Sequence, residues 1–227
     1  DVRELLTLSR GYGMESVRQR AMSTAETVSA SLSEVVDDSA LELVVDLRLA
    51  FGRLLAALGA NERAQKEHLD TAELSLSQGW TETACAALAL ASHAAQARGD
   101  RAASGRAWRQ CRESMESWPM NRPGERCGIL VDAVGDPLVA VQVLSALAEV
   151  LVEGVEEDHS RASIVREIIS RASDQASRCV SSPQNAVESL ARVEERIAPY
   201  GRGRGGRRRP GSTATIMSDG QAASGGS

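Results

Sequence analysis

Apolar positions recur at helical spacing through the middle of this chain, and a glycine or proline interrupts them every twenty residues, at Gly59, Gly79, Gly99 and Pro119. No proline occurs before Pro119, so nothing in the first half obstructs the i to i−4 ladder. The pattern predicts helices over 40–58, 62–78, 82–98 and 101–118. In the first of these, Val44, Leu47, Phe51, Leu54, Leu55 and Leu58 form the apolar face. Upstream, residues 2–8 read as the end of a helix stopped by Gly11 and Gly13. A second run, 14–36, carries the stripe Val17, Ala21, Ala25 and Val28.

Punctuation supports this division. Asp38 and Ser39, Asn61, Thr81 and Asp100 stand where N-caps are needed, and the glycines stand where helices stop. After a loop over 119–125 with two prolines, a short helix is expected over 126–134. Asp136-Pro137 is a restart signal, with the acid as cap and proline in the first helical position. The run 138–153 is apolar on most sides and should be the most buried helix. The run 160–180 shows Ile164, Ile168, Ala172 and Ala176 on one stripe, and Ser182-Pro183 opens a last helix ending near Ala198. Beyond Pro199 the composition is Gly, Arg, Ser and Ala with hardly any apolar residues, the signature of a disordered tail. The expected organisation is a helical domain over 1–198, clearest over 40–118, and a tail over 199–227.

Composition sharpens this reading. Hydrophobic residues make up 42% of the 227, but aromatics only 3%, so the core must be Ala, Leu and Val, which suits closely approaching helices. The net charge of −5 divides unevenly: the tail from Gly201 holds five arginines against one acid, leaving −9 on the body. An acidic body disfavours nucleic acid as its principal partner. Cys85, Cys111, Cys127 and Cys179 match no zinc or redox spacing and read as small apolar residues in a reducing, cytoplasmic setting, with disulfides the minority reading. No stretch reaches eighteen apolar residues, no signal peptide is present, and no membrane association is expected. The chain opens at Asp1 within a helix pattern, and the expectation is a fragment or processed product of a larger protein.

A shift of forty residues aligns Glu42 with Glu82, Ala57 with Ala97, Gly59 with Gly99, Glu73 with Glu113 and Ser77 with Ser117. It also pairs residue classes: Gly52 with Ser92, Ala64 with Ser104, His68 with Trp108, and Thr71 with Cys111. These positions resemble the tetratricopeptide repeat. Gly52 and Ser92 match its small first-helix residue, Gly59 and Gly99 the turn, Ala64 and Ser104 the small residue opening the second helix, and His68 and Trp108 its large ring. The period is forty rather than the family's thirty-four, and Arg48 and Leu88 stand where its first-helix tryptophan would be. A generic helical repeat of the same type stays open. The resemblance implies an all-α fold of antiparallel helix hairpins stacked as a right-handed α-α superhelix, with first helices lining a concave groove. On that framework Trp108→Ala should cost about 3–5 kcal/mol.

Candidate chemistry is sparse. The resemblance places Glu42, Asp46 and Arg53 on one face of the first helix and Glu82, His93 and Gln96 on the matching face of its repeat mate. Ala86 and Ala89 leave room between them for a partner segment, though an ordinary solvated face is the competing reading. His68 lacks a second ligand one turn away, so a packed ring is expected rather than a metal site. Val155, Glu156, Glu157, Asp158 and His159 form an acidic cluster at a helix start, where carboxylates offset the macrodipole, with divalent metal as the alternative. Gly201 to Gly206 fits a dinucleotide-binding glycine pattern by spelling alone, without strand before or helix after. Arg202, Arg204, Arg207, Arg208 and Arg209 form a cationic tether that could touch nucleic acid weakly, or be a solvated linker.

No phosphate-binding loop, nucleophile elbow or cofactor motif is present. The reading is a non-enzymatic protein–protein interaction scaffold or regulatory module whose groove grips a protein or peptide segment. Its rivals are a ligand-sensing region of a transcription regulator and a nucleic-acid contact through the tail. An unpaired helix at the start of the stack would also permit a homodimer through that repeat end.

Overall fold

The computed structural model describes residues 41–156, 158–179 and 183–201, with isolated helical positions at 19, 23, 24 and 27. The helix expected over 2–8, that over 14–36 apart from these four positions, the caps at Asp38 and Ser39, Glu157 and the arginines of the tail lie outside the described residues.

Four helices follow the twenty-residue metre: α1 (Leu41–Ala57), α2 (Asn61–Ser77), α3 (Thr81–Ala97) and α4 (Arg101–Glu116). The residues between them make sharp reversals. Gly59, Gly79 and Gly99 all have positive φ, 78°, 75° and 84°, a conformation that glycine adopts without steric penalty. In each turn the amide of the next residue reaches five residues back. Ala60 donates to the Leu55 carbonyl at 2.9 Å, Trp80 to Ser75 at 2.9 Å and Asp100 to Ala95 at 3.0 Å. These are the paired closures of a helix ended by a left-handed glycine.

The N-terminal caps differ in part from expectation. Ala60 and Trp80 occupy the cap positions of α2 and α3 without a side-chain acceptor, and Asn61 and Thr81 fall one residue inside. Each glycine turn places the residue directly after it at the cap. Only the third turn has an acceptor there: Asp100 accepts from the Ala103 amide at 2.9 Å.

The architecture is all-α, with antiparallel hairpins packed in chain order, and no strand occurs among the described residues. α3 lies at the centre, between α2 and α4, and its backbone can approach both neighbours because eight of its 17 residues are alanines. Every residue from Ala84 to Ser92 is buried. It therefore equals the helix over 138–153 in burial, which the apolar pattern alone had ranked first.

The second half continues with α5 (Pro123–Val134), α6 (Pro137–Val152), α7 (Arg161–Ala176) and α8 (Gln184–Ile197), ending in a 3-10 turn (Ala198–Gly201). Proline stands at the first position of both α5 and α6, and Asp136 caps α6 by accepting from Leu138 at 2.8 Å and Val139 at 3.2 Å. α5 begins three residues earlier than expected, because Pro123 starts the helix instead of extending the loop.

The even stacking changes at α5, which packs on α3 and reaches α1, while α6 lies against both α3 and α4. α7 then pairs with α6, and α8 closes over both. One apolar cluster runs through the whole assembly, from Val45 of α1 to Ile197 of α8. Glu149 of α6 stitches three helices across it. It meets Arg112 of α4 at 2.9 Å and accepts a hydrogen bond from the Ser189 hydroxyl of α8. Burial acts to raise the Glu149 carboxyl, but Ser189 and Arg112 together hold it below its ordinary value. Among the described residues no helix is long and apolar enough to cross a membrane.

Candidate functional site

The repeat framework directs attention to the face shared by α1 and α3. Small residues stand at the points where its helices approach. His68 of α2 is 1% exposed, and its ring fills the space beside Gly52 of α1; a Cβ on that glycine would stand 2.7 Å from the imidazole Nδ1. Forty residues on, Ser92 and Ser104 take the places of Gly52 and Ala64, and their hydroxyls meet at 3.0 Å. Thr71 and Cys111 are both fully buried. Cys111 donates its thiol to the Cys85 carbonyl at 3.4 Å, binding α4 to α3. Trp108 is packed against the core but only partly buried, whereas Trp118 is 3% exposed.

The six residues expected on the face divide into two groups. Glu42 and Asp46 on α1, and His93 and Gln96 on α3, are exposed. Glu82 and Arg53 are turned to internal use. The Glu82 side chain retains 7% of its accessibility and forms an ion pair with Arg126 of α5. Arg53 donates to the carbonyls of Asp132 at 3.3 Å and Ala133 at 3.1 Å, in the last turn of α5. A cation at a helix C-terminus meets both the unpaired carbonyls and the negative end of the dipole.

The room expected beside Ala86 and Ala89 is therefore not open. Both are buried, at 0% and 2%, on the stripe that continues from Glu82, and α5 lies on this helix. It contributes Cys127, Leu130 and Val134, all fully buried and at i, i+3, i+7 spacing. Burial, with the Glu167 charge, pushes the Cys127 thiol up to about 11, so it stays a neutral apolar contact. The sequence reading assigned α5 no part in the site. The available signal was the broken metre: after Pro119 the next stop, Gly135, comes early, leaving a helix too short to serve as an ordinary hairpin arm.

Two other hollows are shallow and lie away from this face. One, of about 390 Å³, borders Glu62, Lys66 and Leu69 of α2 and Arg98. The other, of about 320 Å³, lies between Gln142 and the start of α8. Within the acidic cluster, Asp158 accepts from the Ser160 amide at 2.9 Å, and the His159 ring meets Tyr200 edge-on with centroids 4.9 Å apart. Among the described residues no group of three or more His, Cys, Asp or Glu side chains could hold a metal ion. Comparison with protein-family models, curated proteins and solved structures returned no match.

Proposed function

We propose that the chain is a tetratricopeptide-like protein-interaction module that holds a helical segment of a partner on the face shared by α1 and α3, in a cytoplasmic setting. The observation that carries this reading is the way the face treats α5. It takes a short amphipathic helix, with Glu82 as its acidic contact and Arg53 at the far carbonyl end, and small buried residues continue the Glu82 stripe. Helix-in-groove recognition uses the same elements: apolar anchors at i, i+3 and i+7, and a few polar contacts that fix direction. The packing of His68 on Gly52, and the left-handed glycines at matching turns, support the repeat assignment.

Asp46 and His93 remain exposed on this side and supply the partner's outer polar contacts. The test is site-specific photo-crosslinking in native extract. Crosslinkers at Asp46 and His93 should capture one discrete protein, whereas crosslinkers at Glu73 and Glu113 should not. Equal capture from all four positions, or none from the first two, sinks the assignment.

A further inference from the structure

We propose that α5 is an exchangeable strap: it occupies the binding face in cis and gives way to a partner helix of the same chemistry. This rests on the interaction reading above and names its partner class. Four observations converge on α5. Its helix is intrinsically weak, with Gly124 and Gly128 inside it, and a Cβ at Gly128 would meet nothing within 4 Å, so the glycine there is not required by packing. Both ends carry left-handed backbone, at Arg122 (φ 50°) and Gly135 (φ 67°). Arg122 is the one non-glycine residue with positive φ among those described, and an L-residue gains by leaving that conformation. The attachments to α1 and α3 include two polar latches, Arg126 to Glu82 and Arg53 to the terminal carbonyls. Finally, Ala86 and Ala89, buried on the α3 stripe that continues from Glu82, are small side chains that impose little shape of their own.

Lifting α5, which also packs against α6 and α7, releases Glu82 and Arg53 and uncovers the α3 face that carries Glu82. The occupant that replaces it is a short amphipathic helix with a basic residue, a small apolar residue directly after it, and further apolar residues three and seven positions beyond. That is the order Arg126, Cys127, Leu130, Val134. Its basic residue pairs with Glu82, and its last carbonyls receive Arg53.

The probe is a fluorescein-labelled peptide of residues 123–134, added in trans to the full chain. In the Arg126→Gln chain the cis latch is lost while Glu82 remains, so the peptide should bind about tenfold more tightly than to wild type. A peptide carrying glutamine at the position of Arg126 should not show this gain. In the Gly128→Ala chain the cis helix is strengthened without steric conflict, so the peptide should bind roughly fivefold more weakly. Hydrogen exchange on the unmodified chain supplies an arm independent of any variant. The α5 amides should exchange at least about a hundredfold faster than those of α3 and α6. Protection of α5 equal to that of α3, or peptide affinity indifferent to both substitutions, overturns the strap. Crosslinking of a partner at Asp46 and His93 with a fully protected α5 would overturn only the strap. An exchanging α5 with no partner captured would sink only the interaction reading.

Discussion

The imidazole of His68 stands where any side chain at Gly52 would have to be. The ring is 1% exposed, its Nδ1 has no hydrogen-bond partner among the described residues, and a Cβ at Gly52 would lie 2.7 and 2.8 Å from its two nitrogens. The α1–α2 hairpin closes because one helix offers no side chain at the point where the other offers a ring. The contact is steric and unsupported by hydrogen bonding, so both its geometry and its protonation state are open to test.

Gly52→Ala should lower stability by about 1–3 kcal/mol through overpacking. Adding His68→Ala should remove the clash, so that the double variant loses less than the two single losses summed. Urea midpoints of the four proteins measure this. A Gly52→Ala midpoint equal to wild type would show that the ring has somewhere else to go.

The acid limb of the stability curve should carry a His68 signature. Burial, with Arg53 nearby, lowers its pKa from 6.5 to about 3, so the folded protein holds it neutral while the unfolded chain takes up a proton. Because the folded value lies below the unfolded one, stability is full above pH 6.5 and declines as pH falls toward 3. The loss by pH 4 should be about 3 kcal/mol. His68→Phe removes that term, so the difference between the two curves should widen from pH 7 to pH 4. Parallel curves would refute the burial argument.

Arg126→Ala should destabilise the chain by about 3 kcal/mol, because it leaves Glu82 buried without its partner. Glu82→Gln in the Arg126→Ala background should recover part of the loss, since a neutral amide is easier to bury. Thermal melts at pH 7 read both steps. No recovery in the double variant would mean that the lost contact is packing by the arginine stem rather than charge.

Two glycines separate backbone conformation from space. A Cβ at Gly105 or Gly79 would meet nothing within 4 Å, but Gly79 has φ of 75° and Gly105 sits inside α4. Gly105→Ala should therefore stabilise by about 0.5–1 kcal/mol, and Gly79→Ala should destabilise by about 1 kcal/mol. Shifts of the same sign would contradict the turn assignment.

Much of the first half could be read from local chemistry. The glycine metre located α1 to α4 within a residue or two, because a left-handed helix stop is a property of a few consecutive residues and glycine is the residue that adopts it freely. The forty-residue shift paired Gly52 with Ser92 and His68 with Trp108 by residue class, and the seating of His68 against Gly52 is seen only once the hairpin is folded. Caps were harder. Asn61 and Thr81 are good capping residues one place too late, and only the turn geometry reveals that Ala60 and Trp80 hold the position. Trp108 lies partly exposed, so the loss expected from its truncation falls below what a fully buried ring would carry.

The candidate site divides along the same line. Periodicity and residue class are written into neighbouring positions, and they were enough to establish helices, their stops and their order, and to place Glu42, Asp46, His93 and Gln96 on exposed faces. The burial of Glu82 by Arg126 and the use of Arg53 to hold the end of α5 join residues 44 and about 80 positions apart. No local pattern encodes such pairings, because they arise only when α5 folds back on α3. The amino-acid order specified the rods; the packing of one short rod across two others decided which faces remain free to meet anything else.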